Sequence, residues 1–338
     1  MTASKPRAAP APVFSYSSGD GKAWRTWGGD FTALFYIVVW LTSLGAPLLL
    51  CYLWSRGHRM AFTLALALAI VAYLPGVPRW PALKRCLSVA RYYRSASLRW
   101  CAPLATAEQV ARGDAPPTVL CVHPHGIFCQ AWAALFLTDE ADDVTFCFSN
   151  ALVLSPYFRL LCRLTGFPSK CDRDSMKRLM RRRKRLALIP GGFHEATVHS
   201  PTEDRLFLKK RKGFVKYALE FGYSLTPVYG FGEKDTFANL QGFWKLRLWL
   251  NDLGLPAIVP FGKWWCPLLP RNARLHVVVG EPLAPPARFA SGGTKPTKAD
   301  VDAHHAAYCA HVQKLYARFA RECYAVKAGA PTPELQLW

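Results

Sequence analysis

Hydrophobic and polar positions divide the chain into two unlike parts. No charged residue occurs from Phe31 to Ser55, or again from Met60 to Pro78, and Ser55-Arg56-Gly57-His58-Arg59 separates the two stretches. A helix rises about 1.5 Å per residue, so either stretch is long enough for a hydrocarbon core of about 30 Å. The short basic link predicts a helical hairpin whose ends lie on one side of a membrane. A hairpin dipping into one leaflet is the alternative, and kinks at Pro47 and Pro75 suit it. Buried core helices are disfavoured because neither stretch has a polar face. A secretory signal is a poor reading, since the region starts too late and has no small-residue cleavage site.

Beyond about residue 100, apolar β-branched runs alternate with segments of helical spacing. Thr118–Val122, Val144–Phe148, Leu186–Ile189, Ser224–Tyr229 and Leu275–Val279 predict strands. Residues 151–165, 174–185, 213–222 and 238–253 predict helices. The alternation implies an α/β fold with a mostly parallel sheet and flanking helices, preceded by the membrane-embedded hairpin. Thr297 and Asp300 have capping-box spacing. The stripe Val301, Tyr308, Val312, Leu315 and Phe319 that follows is expected to face the core or the membrane. Residues 1–20, rich in Ala, Pro and Ser, predict a disordered tail. Residues 21–80 form the hairpin region, 81–326 the main domain and 327–338 a C-terminal tail.

Charge gives this layout an orientation. The 338 residues include 43 Lys and Arg against 22 Asp and Glu, a net charge of +21, which calls for an anionic partner. Arg79, Lys84, Arg85, Arg91, Arg94 and Arg99 follow the hairpin, whereas the link carries Arg56 and Arg59. The more basic side is cytosolic by the positive-inside rule, so both termini are expected there. The 11 cysteines include no C-x-x-C pair and there is no N-x-S/T sequon, which fits reduced thiols on a cytosol-facing body. Nucleic acid is not expected as a partner, because the membrane accounts for the charge and no nucleic-acid motif occurs.

Two strand exits carry candidate chemistry. His123-Pro124-His125-Gly126 offers a histidine able to take a proton near neutral pH, beside a glycine that admits close approach. Two histidines shaping a turn, or two chelating a metal, are the other readings. No third ligand has suitable spacing, so no metal is expected. Pro190-Gly191-Gly192-Phe193-His194-Glu195 offers backbone N–H groups for an oxyanion and a carboxylate able to orient an imidazole. A tight turn before a solvated Glu is its bland reading. His194-Glu195 fails as a zinc motif, because His199 is one residue too far. The basic clusters Arg181-Arg182-Arg183-Lys184-Arg185 and Lys209-Lys210-Arg211-Lys212 could meet phosphates or lipid headgroups.

Taken together these blocks resemble the type-2 diacylglycerol acyltransferase family, which includes monoacylglycerol and wax-alcohol acyltransferases. The resemblance covers roughly residues 115–325. It rests on His-Pro-His-Gly at 123–126 and Pro-Gly-Gly-x-x-Glu at 190–195. Arg211-Lys212-Gly213-Phe214-Val215-Lys216, continuing through Pro227 to Phe231-Gly232-Glu233, and Val278–Leu283 complete it.

The resemblance implies an endoplasmic-reticulum membrane enzyme that also reaches lipid droplets. It implies acyl-CoA as co-substrate, no cofactor, and diacylglycerol or another neutral alcohol as acceptor. His125 is then the expected base, with His123 and Glu195 in the catalytic set and Gly126, Gly191 and Gly192 as oxyanion or turn residues. Arg181–Arg185, Arg211 and Lys212 become candidates for the phosphates of CoA. Related acyltransferases carry His-x4-Asp, but Phe128 and Gln130 stand at those places here. The acid partner must come from elsewhere, and Glu195 is the expectation. Cys121 and Cys129 are weaker, nucleophilic alternatives. A lipid-droplet tether or lipid-transfer module is the non-enzymatic rival. A homo-oligomer is left open.

Overall fold

The computed structural model describes residues 12–17, 23–87, 92–255, 257–327 and 329–338. The strands among them are β1 (Pro12–Ser17), β2 (Ser95–Trp100), β3 (Thr118–His123), β4 (Thr145–Phe148), β5 (Phe167–Lys170), β6 (Leu186–Leu188), β7 (Asp204–Leu206), β8 (Ser224–Phe231), β9 (Ala238–Asn239), β10 (Pro260–Phe261), β11 (Arg274–Val279) and β12 (Leu335–Leu337). Eight of them form one sheet in the order β1-β2-β11-β8-β3-β6-β4-β5. β8, β3, β6, β4 and β5 are mutually parallel. β11 runs antiparallel to β8 and parallel to β2. The α/β fold with a largely parallel sheet is therefore present.

β3 lies at the centre and is buried along its whole length. Side chains alternate across a strand, so Val119 and Cys121 enter one core and Leu120 and Val122 the other. The helix Lys298–Cys323 covers the first face. Its N-terminus is held by the predicted capping box, with Thr297 and Asp300 exchanging backbone N–H bonds of 3.2 and 2.9 Å. Tyr308, Val312 and Phe319 on its apolar stripe are buried, so the stripe faces the core.

Several expectations are corrected. Pro12–Ser17, placed by composition in a disordered tail, is the edge strand pairing with β2; residues 1–11 and 18–20 lie outside the described residues. The C-terminal tail returns to the body, with Leu335–Leu337 pairing alongside β7 and the Trp338 carbonyl accepting N–H bonds from Leu208 and Lys209.

The stretch 31–55 is not one continuous helix; it breaks beside Pro47, where a kink was expected. Instead Ala23–Leu44 ends before a bend, and Ala46–Ser55 and Arg59–Val71 follow. Among the described residues no single helix is long and apolar enough to cross a membrane. Phe31–Leu44 and Ala46–Ser55 satisfy length and composition together, but are bent by 83°. The bend falls just before Pro47 in the first turn of the second helix, where proline is tolerated but cannot continue the preceding one. The pair around the basic link has 10 and 13 residues, roughly 15 and 20 Å of helix.

Candidate active site

Parallel neighbours β6, β3 and β8 bring three loops to their common carboxyl edge, the usual place for sites in such sheets. Those loops begin at Ile189, Pro124 and Gly232. The two exits singled out in the sequence meet through one carboxylate. Glu195, fully buried, accepts the His125 backbone N–H at 2.7 Å and the Phe207 N–H at 3.0 Å. A Cβ on Gly191 would stand 2.2 Å from the Glu195 carboxylate, so glycine is required there for that carboxylate to fit.

The expected pairing of Glu195 with the His125 imidazole is not formed; the carboxylate meets that residue's backbone. The imidazole it faces belongs to His123, with Nδ1 to Oε1 at 3.8 Å. His123 continues the Val119–Cys121 side of β3 and is fully buried. Its Nε2 meets the hydroxyl of Tyr308 on the C-terminal helix at 3.0 Å. Its Nδ1 has no hydrogen bond.

His125 lies past the strand end and is half-buried. Its Nδ1 is 2.8 Å from the Gly126 carbonyl. A carbonyl can only accept, so Nδ1 carries the proton and Nε2 is left as the basic nitrogen of the neutral ring. Burial pushes this imidazole below its ordinary value, outweighing the Gly126 hydrogen bond and the charge of Glu195, which favour protonation. His125 forms part of the wall of an apolar cavity of about 600 Å³. Tyr36 and Trp40 of the first helix, Phe128, Trp132 and Phe193 are among its other walls.

The third loop brings a residue whose role the sequence did not reveal. Glu233 is fully buried and accepts the Gln130 and Ala131 N–H groups at 2.9 and 2.7 Å. These are orphan donors at the start of helix Gln130–Phe136. Burial pushes Glu233 up to about 7, against the pull of those two bonds. Gly126, at φ +62°, packs on this carboxylate, and a Cβ would lie 2.2 Å from its Oε1. Glu195 and Glu233 thus hold the His-Pro-His-Gly loop from the two flanking strands.

Cys129 adopts the left-handed region at φ 52° and puts its sulfur 3.5 Å from His125 Nδ1 and 3.6 Å from its Nε2. Burial, with the charges of Glu233 and Glu195, pushes this thiol well up, so it remains protonated. Burial does the same to Cys121. Neither thiol is an activated nucleophile.

The basic residues separate. Arg181–Arg185 precede β6 and so lie at the opposite sheet edge, where Arg185 pairs with Asp143. They do not join the three loops at the carboxyl edge. Lys212 pairs with Asp302 at 2.6 Å. Arg211 reaches the glycine turn, 3.5 Å from the Gly191 carbonyl and in contact with His194. Of the three glycines, Gly192 is on the cavity wall, whereas Gly126 and Gly191 make room for carboxylates. No group of His, Cys, Asp or Glu able to hold a metal ion occurs among the described residues.

A family model described as diacylglycerol acyltransferase matches residues 98–331. The chain belongs to the diacylglycerol acyltransferase family. The match spans all the loops described above and begins inside β2, after the N-terminal helices. Human 2-acylglycerol O-acyltransferase 3 is 31% identical over 243 residues, 63% of this chain and 68% of that protein. Human diacylglycerol O-acyltransferase 2-like protein 6 is 30% identical over 227 residues, 59% of this chain and 64% of that protein. Mouse diacylglycerol O-acyltransferase 2 is 27% identical over 240 residues, 63% and 58% of the two chains. Family membership makes the chain an acyltransferase.

Proposed function

We propose that this protein transfers a fatty acyl group from acyl-CoA to the free hydroxyl of diacylglycerol, with His125 as general base. The observation that carries the reading is His125, its ring tied at Nδ1 to Gly126, on the wall of a large apolar cavity. Its volume is within the usual range for ligand sites of about 300–1,000 Å³, and its lining suits an acyl chain. Nε2 takes the acceptor proton as that oxygen attacks the thioester carbonyl. The carbonyl oxygen becomes an oxyanion beside the Gly192 N–H. The C–S bond then breaks, and the CoA sulfur leaves with the proton held by His125. One direct transfer suffices, because both nearby thiols are held protonated.

His123, Tyr308, Glu195 and Glu233 position the loop rather than touch substrate. Arg211 is the basic residue best placed for an anionic part of CoA. The enzyme works at the endoplasmic-reticulum membrane with both termini cytosolic, and reaches lipid droplets. Monoacylglycerol as acceptor is a second reading, favoured by the resemblance to human 2-acylglycerol O-acyltransferase 3.

Microsomes containing the protein should be given labelled acyl-CoA with diacylglycerol, 2-monoacylglycerol or a fatty alcohol. Triacylglycerol should form with the highest kcat/KM. Faster acylation of monoacylglycerol would replace the acceptor, and no ester from any alcohol would leave a tether or lipid-transfer role.

A further inference from the structure

The helix Trp244–Asp252 buries two polar residues and exposes large apolar ones, with Lys245 and Asp252 at the surface beside them. Arg247 and Asn251, four residues apart on one face, are each about 5% exposed. They are bonded inward: Arg247 to the carbonyls of Ala257 and Thr197 at 2.9 and 3.3 Å and to Asn239 Oδ1 at 3.1 Å, Asn251 to Thr197 Oγ1 at 2.6 Å. Phe243, Leu246, Trp249 and Leu253 stand on the other face, each more than half exposed. A helix on a water-facing surface turns its apolar stripe inward and leaves its cations outside. Here the fully satisfied polar network is inside, so the orientation is built in and is not a loose end.

The next loop extends the same surface. Trp264 is 93% exposed and Trp265 53%, beside Lys263. Tryptophan and lysine side by side suit a membrane–water boundary. Position identifies the occupant. Ile258, Pro260 and Pro270 form part of the wall of the His125 cavity, and the first helix contributes Ala33, Ile37 and Trp40 to the same wall. That helix and the ones after it expose Phe31, Val38, Leu48 and Met60. Two apolar exposed surfaces, far apart in sequence, therefore adjoin one cavity.

We infer that residues 243–255 and 257–265 form a second membrane-seated element, an interfacial helix and tryptophan loop buried in the lipid leaflet beside the N-terminal helices. The cavity between them then takes its lipid substrate from the leaflet. The inner face of this helix also holds the site: Asn251 bonds the Phe193 carbonyl at 3.4 Å, and Asp252 bonds His194 at 2.8 Å. Both partners belong to the helix that carries Glu195.

The test needs no activity. The full chain is reconstituted at high lipid-to-protein ratio in phosphatidylcholine vesicles with brominated acyl chains. It is compared with a Trp249→Phe, Trp264→Phe, Trp265→Phe variant, which keeps the apolar surface. The variant should stay vesicle-bound and lose the bromine-quenched emission carried by these three of the 12 tryptophans. Unchanged bromine-quenched emission overturns the inference. Acrylamide then shows what covers the face: quenching of these tryptophans means water, and protection means a second copy of the chain.

Discussion

His123 and His125 are separated by one proline, yet they occupy different media. His123 belongs to the interior, held by Tyr308 and facing Glu195. His125 belongs to the cavity, with Nδ1 tied to Gly126 and Nε2 on the basic side of the ring. The difference arises at the end of β3. Strand alternation still governs residue 123 and directs it to the C-terminal helix; the loop governs residue 125. A base must reach its substrate, and only the second position does so. The buried histidine acts through shape, with Glu195 and Glu233 fixing the loop that presents its neighbour.

The comparison breaks most visibly at His125. His125→Ala should cut kcat by about 10²–10⁴-fold, the usual share of a general base, with unchanged thermal stability. Glu195→Gln should follow. Glu195 accepts two N–H groups on different oxygens, and an amide turns one acceptor into a donor. A buried donor left unsatisfied costs about 1–3 kcal/mol. Thermal denaturation should therefore register this change, and kcat should fall with it.

His123→Ala should also lower stability, with a smaller loss of kcat than His125→Ala. Tyr308→Phe should do the same more mildly, removing one hydrogen bond worth about 1 kcal/mol. Loss of rate without loss of stability in His123→Ala would assign it a direct role instead.

Two smaller effects concern charge. Because burial lowers His125, its neutral base form should persist below the ordinary imidazole value. The acid limb of kcat/KM, where protonation removes the base, should lie below about pH 6.5. Glu233 has the opposite sign. Its folded value, about 7, exceeds the ordinary carboxylate value, so the folded state binds more protons in between. Its contribution to stability is full below about pH 4.5 and is lost as pH rises through 7. Glu233→Gln should flatten that part of a stability–pH profile.

Much of this was legible in the chain because its signals are local. The strand–glycine exits at 123–126 and 190–195, the capping box at Thr297 and the apolar stripe after it all appear where the residues suggest. Partners distant in sequence were not legible. Tyr308 is 185 residues from His123, and Glu233 is 103 from Gln130, so only the sheet order reveals them. The Glu195 pairing was misdirected for the same reason, since spacing cannot tell a backbone N–H from an imidazole.

β2 was not among the expected strands: its Ser95 and Ser97 interrupt any apolar run, and in the fold they are satisfied across the sheet by His276. Helix 238–253 starts late, at Trp244, because Gly242 and Phe243 adopt positive φ. The N-terminal stretches show the limit of composition. It reports apolar length and the proline beside the break, but not that the bend there reaches 83°.

The central claim is that His125, from the cavity, supplies the base. Chemical rescue tests it most directly, because the two histidines differ in access. His125→Gly and His123→Gly should be assayed for triacylglycerol formation with added imidazole. The cavity should admit imidazole in place of His125, restoring turnover in proportion to the neutral imidazole present. The sealed site of His123 should give no rescue. Rescue of His123→Gly alone, or full activity of His125→Gly without imidazole, would contradict the account.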